Sequence, residues 1–212
     1  MKFAESMLRL YAVTDRSWVG TQTLYEQVEL ALRGGATCVQ LREKELDRDG
    51  FYREAKELKT LCARYGVPMI INDNVALAME VDADGVHVGQ EDMDAQDVRS
   101  LIGPDKILGV TAKTIEQAQN AQRNGADYLG SGAVFGSATK ANAKPMSREL
   151  LQSICQSVTI PVVAIGGIHR GNIATLAGTG IRGAAVVSGI FAAADIEEEC
   201  RVLRAEIERI VK

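Results

Sequence analysis

Histidine and cysteine are scarce in this chain. Two histidines and four cysteines stand in 212 residues, and Cys38, Cys62, Cys155 and Cys200 lie far apart with no Cys-x-x-Cys pair. That argues against a structural zinc site and favours free thiols in a reducing compartment. Basic blocks are missing as well. The 24 lysines and arginines are outnumbered by 28 acidic residues, for a net charge of −4, and no aromatic residues are threaded among the basic ones. Such a chain has no electrostatic footprint for nucleic acid. No run approaches the ~18 apolar residues of a membrane span, and no signal peptide shows at the polar N-terminus. The expectation is a cytoplasmic protein whose partners are neither nucleic acid nor membrane.

What is present is core. At 46% hydrophobic, the chain can bury one substantial interior, and residues 1–212 show no linker or composition break. Strand-like and helix-like segments alternate along it. Strands are expected over 8–15, 38–44, 68–73, 85–90, 106–112, 127–135, 161–168 and 183–191. Helices are expected over 24–33, 49–65, 74–81, 94–102, 114–124, 147–158, 172–178 and 196–211. Alternation of this kind implies a parallel sheet with right-handed crossovers, and eight units are the number that closes a barrel. The fold class is therefore α/β, a single (β/α)8 TIM barrel. An open doubly wound sheet is the runner-up, disfavoured because no Gly-x-Gly-x-x-Gly follows the first strand.

The polar residues fall at strand ends. In Cys-Val-Gln-Leu-Arg-Glu-Lys, a period of two sends Gln40, Arg42 and Lys44 to one side and Val39, Leu41 and Glu43 to the other. One strand ending this way reads equally as a solvated tip, but others end alike: Asn72 and Asp73; Gln90, Glu91 and Asp92; Thr111 and Lys113; Ser137, Thr139 and Lys140. On a barrel these ends converge on the face where ligands bind. Gly166-Gly167 and Ser188-Gly189 mark the seventh and eighth units, where loops often cradle phosphate, although a glycine pair also makes a tight turn. Asp73 and Asp92 follow consecutive strands and suit Mg²⁺ bound together with a charged phosphate ligand. Each also suits the alternative of capping the helix that follows, Asp92 especially. His87 and His169 read as structural rather than as general bases.

Together these segments resemble the thiamine-phosphate synthase family over essentially the whole chain. The carrying motifs are Val-Gln-Leu-Arg-Glu-Lys (39–44), Ile-Ile-Asn-Asp (70–73), Asp-Gly-Val-His-Val-Gly-Gln-Glu-Asp (84–92), Thr139-Lys140, Ala-Ile-Gly-Gly-Ile (164–168) and Val-Val-Ser-Gly-Ile (186–190). The resemblance implies a barrel that joins hydroxymethylpyrimidine diphosphate to hydroxyethylthiazole phosphate, releasing pyrophosphate with the help of Mg²⁺. It implies that Gln40, Leu41, Arg42, Glu43, Lys44, Asn72, Thr111 and Lys140 hold the pyrimidine diphosphate, with Arg42, Lys44, Lys140 and Thr111 catalytic. Ser137, Ala138, Thr139, Gly167, Val187 and Ser188 would hold the thiazole phosphate, and Asp73 and Asp92 the metal. A homo-oligomer stays open.

This chain departs from the family pattern in places. Thr111 and Lys113 stand where serine and then histidine are usual, Ala133 where proline is common, and Gly136-Ser137 where Pro-Thr is usual. The loop 136–145 is the candidate lid. Two other readings share the scaffold. A thiazole tautomerase would need neither the diphosphate cations nor the metal pair, and a non-catalytic phosphate-ligand binder would not need the aspartates.

Overall fold

Period-two alternation decides the architecture: along each strand, one set of side chains enters a closed interior and the other set meets the helices. The computed structural model describes residues 3–136 and 145–211. Its strands are Leu10–Val13 (β1), Cys38–Leu41 (β2), Met69–Asn72 (β3), Gly85–Val88 (β4), Ile107–Thr111 (β5), Tyr128–Gly132 (β6), Val162–Ile165 (β7) and Gly183–Val186 (β8). They pair in parallel in sequence order, and β8 pairs back onto β1 to close the barrel. The (β/α)8 expectation holds.

The helices are Leu24–Arg33 (α1), Arg48–Arg64 (α2), Val75–Glu80 (α3), Ala95–Ile102 (α4), Ile115–Arg123 (α5), Arg148–Ser157 (α6), Ser188–Phe191 (α7) and Ile196–Ile210 (α8). Thr23, Asp47, Asn74, Asp94, Thr114, Ser147 and Asp195 each cap a helix by accepting a backbone N–H, and among the described α-helices α7 alone has no side-chain cap. Each such cap contributes about 1 kcal/mol. None of the described helices is long and apolar enough to cross a membrane.

Strands β2, β6 and β7 each end three residues before the expected limit, and β1 and β4 two; three further differences have a cause in the packing. The first strand begins at Leu10, because residues Glu5–Leu8 form a 3-10 turn that brings the Leu8 carbonyl against Gly183. The seventh connection contains a single 3-10 turn, Ile173–Leu176, in place of a full helix. The eighth strand ends at Val186, and Ser188–Phe191 coils into α7 because Gly189 packs on the Ile168 carbonyl, where a Cβ would come within 2.3 Å. That close approach bends the chain out of the sheet.

Two apolar layers result. Leu10, Val39, Leu41, Ile71, Val86 and Leu108 join Leu58, Leu61, Leu151 and Leu203 between strands and helices. Tyr11, Val13, Cys38, Ile70, Ile107, Tyr128, Val163 and Ala185 fill the interior. All four cysteines are free, and burial pushes the Cys62 thiol up to about 12, so it stays a protonated packing group.

The amino-terminal ends of the strands are tied in pairs. Thr37, just before β2, accepts the Leu10 N–H of β1 at 2.9 Å. Asp84, before β4, accepts the Met69 N–H of β3 at 2.9 Å, and Asp127, before β6, accepts the Leu108 N–H of β5 at 2.7 Å. Arg99 of α4 locks the last of these, donating to Asp127 Oδ2 at 2.6 Å and to the carbonyls of Gly103, Lys106 and Gly125. Replacing Arg99 by alanine should lower the denaturant midpoint by the equivalent of about 2 kcal/mol with an unchanged m-value, because a charge-assisted cluster is lost without exposing more chain. An unchanged midpoint would show that the cluster contributes nothing.

Candidate active site

The carboxyl ends of the strands carry the charged rim. β2 stops at Leu41, and from there the two cations diverge. Arg42 stays beside β1: its N–H donates to Thr14 Oγ1 at 3.0 Å, and its Nη1 donates to Asp15 Oδ2 at 3.1 Å. Lys44 crosses toward β3, where its Nζ donates to Asp73 Oδ2 at 2.7 Å. A cleft of about 360 Å³ opens between them, lined by Asp15, Trp18, Arg42 and Lys44 among others.

Glu43 lies between the two cations and turns inward, its side chain only 1% exposed. One oxygen accepts the backbone N–H groups of Lys44, Glu45 and Leu46 at 2.7, 2.6 and 3.1 Å. The other accepts Arg16 Nε at 2.6 Å, and Arg16 in turn holds Glu54. The carboxylate is therefore used up in shaping the loop that presents Lys44. Leu41 is fully buried against the helix layer, so its side chain offers nothing to a ligand.

Asp73 and Asp92 meet as expected, and neither caps a helix. Asn74 caps α3 by accepting the Leu77 N–H, and Asp94 caps α4 by accepting the Gln96 N–H. Asp73 takes a left-handed backbone, φ 61°, and its N–H donates to the His87 carbonyl at 2.8 Å. Asp92 Oδ2 accepts the Gly89 N–H at 2.7 Å. Burial raises the Asp73 carboxyl, but the Lys44 ammonium and hydrogen bonds from Asp92 and Asn72 outweigh it and hold Asp73 below its ordinary value. Burial lifts Asp92 above its ordinary value, with Asp73 adding repulsion against the opposing Gly89 N–H.

Two carboxyl groups pressed together with their protonation pulled apart form a site that a cation would relieve. Among the described residues no group of three or more histidine, cysteine or acidic side chains is placed to hold an ion. Two carboxylates completed by phosphate oxygens and water are a usual Mg²⁺ arrangement, so this donor set fits Mg²⁺ bound together with a phosphorylated ligand.

The remaining expected residues divide into three groups. Gln40, Asn72 and Thr111 all come from inward-facing positions of β2, β3 and β5. His87 hydrogen-bonds Tyr128 and Thr111, each at 3.0 Å, while His169 serves its own turn by accepting the Gly171 N–H. Gly167 and Val187 lie at the ends of β7 and β8, with Ser188 opening α7. Gly166 and Gly167 both have positive φ and press on the loop after β6, where a Cβ on Gly166 would meet Ala133 at 2.5 Å. The pair is thus required by packing against that loop. Ser137, Ala138, Thr139 and Lys140, and with them the body of the candidate lid, lie outside the described residues.

Sequence reading assigned no part to Asp15, Tyr11 or Tyr128. Asp15 carried a faint signal as the polar end of the first strand. Tyr128 carried one only through Gly109, the glycine that makes room for its ring, and Tyr11 carried none.

The fold and its rim define the class: a TIM barrel whose charged groups gather at the carboxyl ends of the strands. A family profile described as thiamine monophosphate synthase matches residues 10–190. The thiamine-phosphate synthase of Ruminiclostridium cellulolyticum is 52% identical over 92% of this chain and 92% of its own. That of Clostridium acetobutylicum is 47% identical at the same coverage of both. A solved thiamine phosphate pyrophosphorylase from Pyrococcus furiosus superposes with a TM-score of 0.90 at 38% identity, covering 98% of this chain and 99% of that one. The chain is an enzyme of the thiamine monophosphate synthase family.

Glu43 supplies a pH test. Burial raises its carboxyl, but the Glu45 and Leu46 N–H groups and Arg16 together hold it below its ordinary 4.5. A carboxylate with a depressed folded-state value stabilises the fold above its unfolded value and loses that effect as pH falls through the folded one. Glu43→Gln should therefore cost about 1–3 kcal/mol at pH 7. The gap to the native protein should stay constant down to about pH 5 and close below 4.5. Denaturant titrations at several pH values check this, and a gap that widened in acid would contradict it.

Proposed function

We propose that the protein is a thiamine-phosphate synthase, joining hydroxymethylpyrimidine diphosphate to hydroxyethylthiazole phosphate and releasing pyrophosphate. The observation that supports this best is the pairing of anchored cations with a carboxylate pair: Arg42 on Asp15, and Lys44 on Asp73 beside Asp92. A diphosphate leaving group needs both, whereas a tautomerase has no diphosphate to hold.

In this reading Gln40, Asn72 and Thr111 orient the pyrimidine. Residues Leu41 to Lys44, with Lys140, bind its diphosphate. The methylene C–O bond breaks, pyrophosphate takes the electron pair, and Arg42, Lys44 and Lys140 balance its growing charge. The aminopyrimidine ring delocalises the cation left behind. Ser137, Ala138, Thr139, Gly167, Val187 and Ser188 hold the second substrate by its phosphate, so that the thiazole nitrogen lies close enough to attack. That nitrogen has no proton to lose, which agrees with a site in which neither histidine is posed as a base. Mg²⁺ held at Asp73 and Asp92 would supply further neutralisation of diphosphate charge.

Pyrophosphate release, measured with both substrates, with each alone, and with Mg²⁺ or EDTA, tests the reading. Release should need both substrates and stop in EDTA. Release without the thiazole would mean a hydrolase, and isomerisation of the thiazole alone would mean a tautomerase. Asp92→Ala and Lys140→Ala should each lower turnover about a hundredfold or more, and Lys113→Ala much less. Full turnover in Lys140→Ala would remove Lys140 from the leaving-group site.

A further inference from the structure

Beneath the rim, five side chains from five strands form one continuous hydrogen-bonded chain across the barrel. Gln40 Nε2 of β2 donates to Tyr11 Oη of β1 at 2.8 Å. Tyr11 Oη meets Tyr128 Oη of β6 at 2.7 Å. Tyr128 Oη meets His87 Nδ1 of β4 at 3.0 Å, and His87 Nε2 meets Thr111 Oγ1 of β5 at 3.0 Å. Both tyrosines are essentially fully buried. The backbone makes space for the chain: a Cβ on Gly109 would stand 2.1 Å from the Tyr128 ring and 2.5 Å from His87 Nδ1, and one on Gly130 would stand 3.1 Å from the imidazole.

The chemistry of the end groups gives the chain a direction. An amide nitrogen can only donate, so Tyr11 Oη accepts from Gln40. If Tyr128 also donated to Tyr11, the Tyr11 proton would be left facing the Cys38 sulfur, a weak acceptor. The stronger arrangement has Tyr11 donating to Tyr128 and Tyr128 donating to His87 Nδ1. His87 then carries its proton on Nε2 and donates to Thr111. Thr111 accepts from below, so its own proton is available to the ligand. At the other end one N–H of the Gln40 amide is given to Tyr11, which fixes the way the amide faces: its carbonyl oxygen is held on the side away from Tyr11, and its second N–H stays available.

We propose that Tyr11, Tyr128 and His87 are positioning residues whose one-way hydrogen-bond chain fixes which way the Gln40 amide faces and offers the Thr111 proton to the ligand, selecting an aminopyrimidine over its oxo counterpart. The selection rests on the synthase reading above; the direction of the chain does not. An amino group donates and the ring nitrogens accept. The 4-oxo analogue puts an acceptor where the amino donor was and a donor on the neighbouring nitrogen, which mismatches an amide oxygen and a threonine proton held in place.

Two measurements test this. The first is ¹⁵N NMR of histidine-labelled, ligand-free protein, where His87 shares the spectrum with His169 alone and His169→Gln assigns it. His87 should be the neutral Nε2–H tautomer, and Tyr128→Phe should release it into a mixture. An Nδ1–H tautomer or an imidazolium at neutral pH in the native protein would overturn the direction. The second compares coupling of the amino- and 4-oxo-pyrimidine diphosphates by the native protein, Tyr128→Phe and Tyr11→Phe, all of which keep the rings that pack the interior. Each variant should lose about tenfold or more of the native amino-over-oxo selectivity in kcat/KM, with KM for the thiazole phosphate unchanged. An equal loss on both pyrimidines, or unchanged selectivity, would reduce the chain to packing. If the native protein couples neither pyrimidine, the synthase reading and the selection fail together, and the tautomer still decides the direction.

Discussion

The pairing of β8 with β1 is the contact on which everything else depends. It leaves no sheet edge and turns eight strands joined by seven crossovers into a ring. It also brings eight carboxyl ends to one rim, so residues from Asp15 to Ser188 become neighbours although 173 positions separate them. Closure carries an obligation too. An eight-stranded ring has an interior just wide enough for side chains, and any polar group placed there must find a partner within it. Gln40, Tyr11, Tyr128, His87 and Thr111 meet that condition by satisfying one another in series.

Work is divided between adjacent residues at the rim. Helix capping falls to Asn74 and Asp94, which leaves the carboxylates of Asp73 and Asp92 for each other. Loop shaping falls to Glu43, which leaves Lys44 to face outward, and Asp15 steadies Arg42. The opposite end of the barrel carries a different set of polar residues: Thr37, Asp84 and Asp127 each accept a backbone N–H of the neighbouring strand, and Arg99 holds Asp127 and three loop carbonyls. One end holds the structure together while the other is kept for a ligand, in the manner usual for this fold.

Much of this was legible in the sequence. The alternation of elements, the inward phase of Gln40 and the meeting of Asp73 with Asp92 all follow from local periodicity and strand order, and α1 has the expected bounds Leu24–Arg33. Less legible was whatever depends on register across the ring. Tyr11 reaches Tyr128 only because β1 and β6 face each other through the interior, and no spacing along the chain encodes that. The capping alternative for Asp92 could not be dismissed in advance, since Asp92 and Asp94 both precede α4 and only the backbone path shows which one reaches its first turn. The end of β8 was misjudged because Val-Val-Ser-Gly-Ile has strand composition throughout, and the close approach of Gly189 to Ile168 is tertiary.

The backbone at Asp73 carries a consequence for how this protein tolerates change. A side chain with a Cβ in the left-handed region is held at a cost of roughly 1–2 kcal/mol that glycine would not incur. At that position the residue best for the fold and the residue best for the rim are therefore different. Selection for heat resistance alone would drift toward glycine there and lose the carboxylate, so the aspartate marks a point where durability has been given up for chemistry.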